Sequence, residues 1–276
     1  MKTNHIIKIG LLASLTVSTG CGDSFLDVTS HTQDFVETYY TDSLHISQSL
    51  IAAYSPLQWN DWNGNQYNPQ NAMSDIMGDD MLVGGQSVTD NQFWHLMANY
   101  EAQPNNCMTG MWSNMYCGVK RSNDLLKYAN EHQQNLPTAS YKLWTAEART
   151  LRAYYYNMLW KFWGNIPFYF ENLSAPFRAP QLSADEVYNK VIADLEDVIS
   201  MKVLPTRWDD ANLGRVTQPT AYMLYAEMVM YQKDQSRYPK ALEYMQEIIN
   251  SGKFNLNPNY ADLFTAAGEW GDESIF

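Results

Sequence analysis

The chain has 276 residues, of which 45% are hydrophobic and 17% charged, and its formal net charge is −12 at pH 7. This length fits one or two globular domains. An acidic chain lacks the basic face that nucleic-acid binders carry, so we expect no nucleic-acid partner. With 19 Tyr and 9 Trp against 14 Gly, the chain is rich in flat amphipathic rings, and together with the negative charge this favours neutral ligands.

The amino-terminal segment has the pattern of an export signal. A basic start and an apolar stretch over residues 9–17 lead through small residues to Cys21. The stretch is too short to span a bilayer, which needs about 20 apolar residues. We therefore predict a lipoprotein signal peptide over 1–20, a lipid such as palmitate on Cys21, and a polar tether over 21–33. An ordinary signal peptide is the alternative, because Ser18 stands where lipoprotein signals usually have a large aliphatic residue.

Most of the mature chain has helical periodicity. Apolar residues recur at spacings of three and four, and capping boxes, Pro and Gly mark the ends. The pattern is loose over 35–59 and regular over five later segments: 108–131, 139–163, 183–201, 219–233 and 239–251. The only strand signals are short, as at 166–169. Antiparallel helix pairs of about 34 residues are typical of tetratricopeptide-type arrangements, so we predict a mainly α fold.

The segment 60–104 is different, because Asn, Asp, Gly and Gln dominate it and no helical period is visible. A long irregular stretch inside a folded chain is often functional. A sugar presents an apolar face and a ring of hydroxyls, so its recognition needs aromatic rings beside amides. The segment supplies both, and the candidate ligand-binding residues are Trp62, Tyr67, Asn91, Trp94 and Tyr100. Aromatic residues also pin long loops to a core, which is the competing interpretation of each ring.

Several segments resemble the SusD/RagB family of nutrient-binding proteins. The stretch EARTLRAYYYNMLWKFWGNIPFY from Glu147 is the most diagnostic, and SADEVYNKVIADLEDV, GRVTQPTAYMLYAEMVMY and ESIF follow it in the family's order. CGDSFLDV from Cys21 matches the family's opening. The resemblance implies tetratricopeptide-like helix pairs with long irregular loop insertions. It also implies a surface lipoprotein of the outer membrane that binds glycans for a TonB-dependent transporter, without catalysis or a cofactor.

Members of this family are about twice as long as this chain. The resemblance therefore implies a SusD-like N-terminal domain over 34–212 and the start of the family's helical domain over 213–276. It also gives the expectation that the sequence stops before the C-terminal half.

Two other classes of function stay open at this stage. Paired-helix repeats often bind peptides, so a peptide-binding lipoprotein is one alternative. A glycoside hydrolase is another, since Asp79–Asp80 could serve as acids, although adjacent loop carboxylates are more often solvated. Asp61 begins a calcium-loop-like pattern, but Ala72 stands where the bidentate acid should be. No Cys-x-x-Cys or close histidine pair is present, so we expect no metal site.

Overall fold

The computed structural model describes residues 35–59, 70–103 and 109–276. Two compact units are present, residues 1–39 and 40–276. In the first unit the described part is a single helical turn, α1 (Val36–Tyr39). The predicted signal peptide, Cys21 and the whole of the tether lie outside the described residues.

The second unit is built almost entirely from helices, as the periodicity predicts. A two-residue strand pair, in which Ile166 lies opposite Leu182, closes the connection after the longest helix. The elements in chain order are α2 (Ser43–Tyr54), α3 (Gln70–Met77), α4 (Gln92–Ala98), α5 (Thr109–Glu131), α6 (Thr138–Trp163), β1 (Ile166–Pro167), β2 (Gln181–Leu182), α7 (Ala184–Met201), α8 (Gln218–Gln232) and α9 (Tyr238–Asn250).

Consecutive helices pack against each other along the chain. α5 packs on α6, α6 on α7, α7 on α8 and α8 on α9, while α2 lies against α5 and α6. The main hydrophobic core runs through these interfaces, and its largest fully buried side chains include Tyr155 and Tyr225. The five regular helices predicted from the sequence are confirmed to within one or two residues at each end.

The predicted end signals of α6 and α7 are also present. Ser183 and Glu186 form a reciprocal capping box at the start of α7, in which each side chain bonds the other residue's backbone N–H. Gly164 ends α6 with a φ of 65°, a left-handed value that costs glycine little because it has no Cβ.

One prediction about the irregular segment is wrong. No helical period is visible between residues 60 and 104, yet α3 and α4 form there. Each helix spans about two turns, and among their described side chains the buried anchors are Met73 and Ile76 on α3 and Met97 on α4. Both segments contain several apolar residues, but two turns are too short to establish a period, so tertiary packing rather than local pattern sets these helices.

The diagnostic segment of α6 carries a buried ionic network. Glu147 is fully buried and accepts hydrogen bonds from Nε and Nη2 of Arg215 and, at 2.5 Å, from the Tyr54 hydroxyl. The Tyr54 oxygen in turn accepts the Val216 backbone N–H at 2.9 Å. Burial first, and then the adjacent carboxylate, raise the pKa of Tyr54 well above its ordinary value. The network joins α2, α6 and the residues that lead into α8.

A second ionic cluster connects α6 to α7. Asp194 accepts hydrogen bonds from Arg149 at 2.6 Å and from Arg152 at 2.9 Å. Arg152 also donates to the Asn123 side chain and to the Phe170 carbonyl. The charged residues of this segment therefore hold helices together, and in the described structure their hydrogen-bonding capacity is largely used within the fold.

Candidate functional site

The candidate site is built on α3, α4 and the loop between them. Met73, Ile76 and Met97 fix the two short helices on the core. The chain between them turns back on itself, where Asp80 and Met81 donate their N–H groups to the Asp75 carbonyl. The loop residues from 84 to 92 are exposed. The arrangement is a rigid base with an irregular polar loop on its outer side.

Tyr100 is the most exposed aromatic residue among the described residues of this segment. It follows α4 with a φ of 58°, and its side chain is 75% exposed. Its hydroxyl donates to the Met77 carbonyl at 2.6 Å, which ties the end of α4 to the end of α3. Because the hydroxyl is held, the ring keeps one orientation while most of its surface faces solvent. This is the geometry that a stacking platform for a sugar ring needs.

Asn91 and Trp94 lie together on the first turn of α4. Asn91 is exposed and has left-handed backbone angles, φ 50° and ψ 48°, and its carbonyl accepts the Trp94 N–H at 2.8 Å. The Trp94 side chain is half-buried and packs against the main core. Trp94 therefore has a packing role in anchoring α4, whereas Asn91 leaves an amide at the surface.

Three residues of this segment have a strained backbone. Asp79, Asn91 and Tyr100 all have positive φ values, of 67°, 50° and 58°. For residues other than glycine such values cost energy and recur at ligand-binding positions, where the surrounding structure imposes them.

Two exposed apolar side chains add to the surface of the loop. Leu82 is 90% exposed and Val88 is 73% exposed. Neither residue is predicted from the sequence, because a single apolar residue in a polar stretch gives no periodic signal. Next to them, Asp90 accepts the Gln86 N–H at 3.3 Å, which shapes the loop tip. The loop thus presents apolar contact area and amide or carboxylate oxygens side by side.

The five predicted ligand residues have different positions. Asn91, Trp94 and Tyr100 all lie on α4 or directly beside it, so the structure brings these three into one segment. Trp62 and Tyr67 lie outside the described residues.

Asp79 and Asp80 are exposed loop residues beside Gly78. In the described ranges no three His, Cys, Asp or Glu side chains are grouped so as to hold a metal ion. Among the helices with assigned positions, none is both long and apolar enough to cross a membrane.

A known protein family matches most of the chain. The SusD-like family model, described as starch-binding and associating with the outer membrane, covers residues 24–230. The chain belongs to this SusD-like family, which confirms the resemblance seen in its motifs.

Solved structures with high similarity carry more specific names. Surface glycan-binding protein A from Bacteroides uniformis is 53% identical, with a TM-score of 0.81 over 84% of this chain and 51% of that chain. The protein of the same name from Bacteroides thetaiotaomicron, in complex with laminarihexaose, is 50% identical, with a TM-score of 0.80 over 86% of this chain and 49% of that one. Among curated proteins, a SusD-like protein of Bacteroides ovatus is 23% identical over 92% of this chain and 46% of its own length. This chain spans about half the length of these relatives.

Proposed function

We propose that this protein binds neutral glycans, and that its ligands are laminarin-type oligosaccharides such as laminarihexaose. The observation that carries the proposal is Tyr100, whose ring is 75% exposed while its hydroxyl is tied to the Met77 carbonyl. Asn91, exposed at the other end of α4, supplies an amide for sugar hydroxyls. The complex of a 50% identical relative with laminarihexaose supports the choice of ligand. The proposed function is binding rather than catalysis, and the similar structures, named surface glycan-binding proteins, support it.

Isothermal titration calorimetry of the purified chain with laminarihexaose tests this proposal. We expect Tyr100→Ala to weaken binding by at least about fivefold, because loss of a ring contact costs roughly 0.5–1.5 kcal/mol beyond buried area. The matched control is Tyr260→Ala, since Tyr260 is 73% exposed but lies far along the chain in the Tyr260–Phe264 turn.

Maltohexaose gives the comparison between linkages, because the family description names starch. The proposal predicts tighter binding of laminarihexaose than of maltohexaose. If the wild type and a folded Tyr100→Ala variant bind laminarihexaose equally, the Tyr100 ring is not part of the site. Absence of binding to either hexasaccharide by the wild-type chain would contradict the proposed function itself.

We further propose that the protein is a surface-exposed lipoprotein of the outer membrane, anchored through Cys21, and that a TonB-dependent transporter takes up the glycan from it. The small residues directly before Cys21 and the family's association with the outer membrane support the anchor. Acyl chains contribute about 0.8 kcal/mol per buried CH₂, so a multiply acylated Cys21 would hold the protein firmly.

Changing Cys21 tests the anchor directly. Cys21→Ala should move the protein from the membrane fraction to the soluble fraction, and mass spectrometry of the wild type should show the lipid on Cys21. A membrane-bound variant together with an unmodified wild type would contradict the proposal. Co-purification of a TonB-dependent transporter from detergent-solubilised outer membranes tests the partner.

A further inference from the structure

A polar groove lies where α7 ends, α8 begins and α9 passes beside them. Its volume is about 240 Å³, and it is lined by Lys202, Leu204, Thr206, Gln218, Pro219, Tyr222, Glu247, Ile248 and Ser251. Sites for drug-sized ligands measure roughly 300–1,000 Å³. A groove of this size therefore suits one small ring rather than a chain of several units. The groove is separate from the α3–α4 segment and shares no lining residue with it.

Gln218 contributes a buried acceptor with no partner. Its side chain is only 6% exposed, and its Nε2 donates to the Ile199 carbonyl at 3.0 Å. Its Oε1 is buried and has no hydrogen-bond partner in the described part of the chain. A buried amide oxygen without a donor is unfavourable and rare in native proteins. Gln218 lines the groove, and a ligand hydroxyl that reaches its amide would give this oxygen a donor.

The rim of the groove carries a charged pair with spare capacity. Lys202 donates to the Tyr222 hydroxyl and, at 3.1 Å, to Glu247 Oε2, and Tyr222 donates to the same Oε2 at 2.5 Å. The two bonds to Glu247 use only its Oε2, so its Oε1 can accept another donor. The Lys202 ammonium has a third N–H that these bonds do not use. The hydrogen bond from Tyr222 lowers the pKa of Glu247, which keeps this acceptor ionised at neutral pH.

The floor of the groove adds a small carbon surface to a mainly polar lining. It comes from Leu204, Pro219 and Ile248, whose side chains are largely buried. The pair above them has no net charge, which disfavours anionic and cationic ligands alike. A pyranose ring has the complementary chemistry, since its CH face matches the floor and each hydroxyl can both donate and accept.

We propose that this groove is a second saccharide site, which binds a single neutral pyranose unit through Gln218, Lys202 and Glu247. The inference is independent of the Tyr100 site, because it rests on other residues and on a ligand of one ring.

Saturation-transfer NMR of the intact chain with methyl β-D-glucoside tests the second site. We expect saturable binding by the wild type, and at least about fivefold weaker binding by Gln218→Leu and by Lys202→Ala. Lys202 is more than half exposed, so its variant keeps the test decisive if Gln218→Leu does not fold. Tyr260→Ala is the control and should bind the monosaccharide as the wild type does, and Tyr100→Ala shows whether the glucoside uses the first site instead.

Three results would overturn the second site. The first is no saturable binding of the glucoside by the wild-type chain. The second is that Lys202→Ala binds the glucoside as the wild type does, while Gln218→Leu either also binds it normally or does not fold. The third is loss of glucoside binding by Tyr100→Ala, which would place the monosaccharide at the first site. Failure of the proposed glycan-binding function would be a different result. Laminarihexaose would then not bind, while the glucoside titration would be unaffected.

Discussion

At the scale of single residues, the backbone separates aromatic side chains that look alike in the sequence. Trp94 and Tyr100 are six residues apart in the same polar stretch. Trp94 lies inside α4 and packs against the core, while Tyr100 follows the helix at a φ of 58° and is mostly exposed. The left-handed backbone of Tyr100 redirects the chain after α4. Its ring therefore does not continue the helical stripe. Composition identifies the segment, but the backbone decides which ring a ligand can reach.

The buried Glu147–Arg215 pair gives a prediction at this scale. Arg215→Met should lower the free energy of unfolding by about 3–5 kcal/mol, because it leaves the fully buried Glu147 carboxylate without its cation. Replacing both partners, as in Glu147→Leu with Arg215→Met, should recover most of the loss, since no uncompensated charge remains. Urea denaturation at pH 7 measures all three proteins.

An exposed arginine supplies the control for this measurement. Arg178 lies on the surface of the loop before β2, so Arg178→Met should change stability by less than about 0.5 kcal/mol. If Arg215→Met costs no more than Arg178→Met, the network does not stabilise the fold in the way its geometry indicates.

At the scale of elements, the α5–α6 interface depends on one close approach. A Cβ added at Gly118 would come within 2.4 Å of the Tyr155 ring. That ring is fully buried, and its hydroxyl donates to the Ala53 carbonyl of α2 at 2.6 Å, so it cannot move aside freely. Gly118 is therefore the point at which α5 accommodates the aromatic side chain of α6.

Gly118→Ala tests this interface. In an exposed helix the change would add about 1 kcal/mol of stability, but here overpacking should cost more, roughly 1–3 kcal/mol, for a net loss. Gly84→Ala is the matched control, because nothing lies within 4 Å of a Cβ there. Thermal and urea unfolding compare the two variants. A Gly118→Ala protein as stable as the wild type would mean that the interface repacks without cost.

The elements also show which parts of the fold the sequence can predict. The helices α5 to α9 are long and carry continuous apolar stripes, so periodicity is sufficient to identify them. α3 and α4 are only eight and seven residues long, which is too short for a stripe to be recognised. The Tyr54–Glu147–Arg215 network joins residues 93 and 68 positions apart, and no local pattern records such contacts. In the same way, the sequence predicts the region that contains Asn91 and Tyr100. It does not predict the Gln218 groove, because that groove forms where the ends of three helices meet.

At the scale of the whole molecule, negative charge sets the kind of ligand that can approach. The formal net charge is −12, and many of the basic side chains in the described residues are held in ion pairs, as Arg149 and Arg152 are with Asp194. Both proposed sites use uncharged or charge-balanced groups. The overall field should therefore leave neutral glycans unaffected and repel polyanionic ones.

Salt dependence tests this property of the molecule. The Kd for laminarihexaose should stay within about twofold between roughly 20 mM and 500 mM NaCl, because a neutral ligand has no charge for ions to screen. Alginate oligosaccharides of similar length should show no binding at the lower salt concentration, where repulsion extends over tens of ångströms. The same calorimetric protocol serves for both ligands. Alginate binding that is strong at low salt and disappears at high salt would reveal a local basic surface that the net charge conceals, and the preference for neutral ligands would then be wrong.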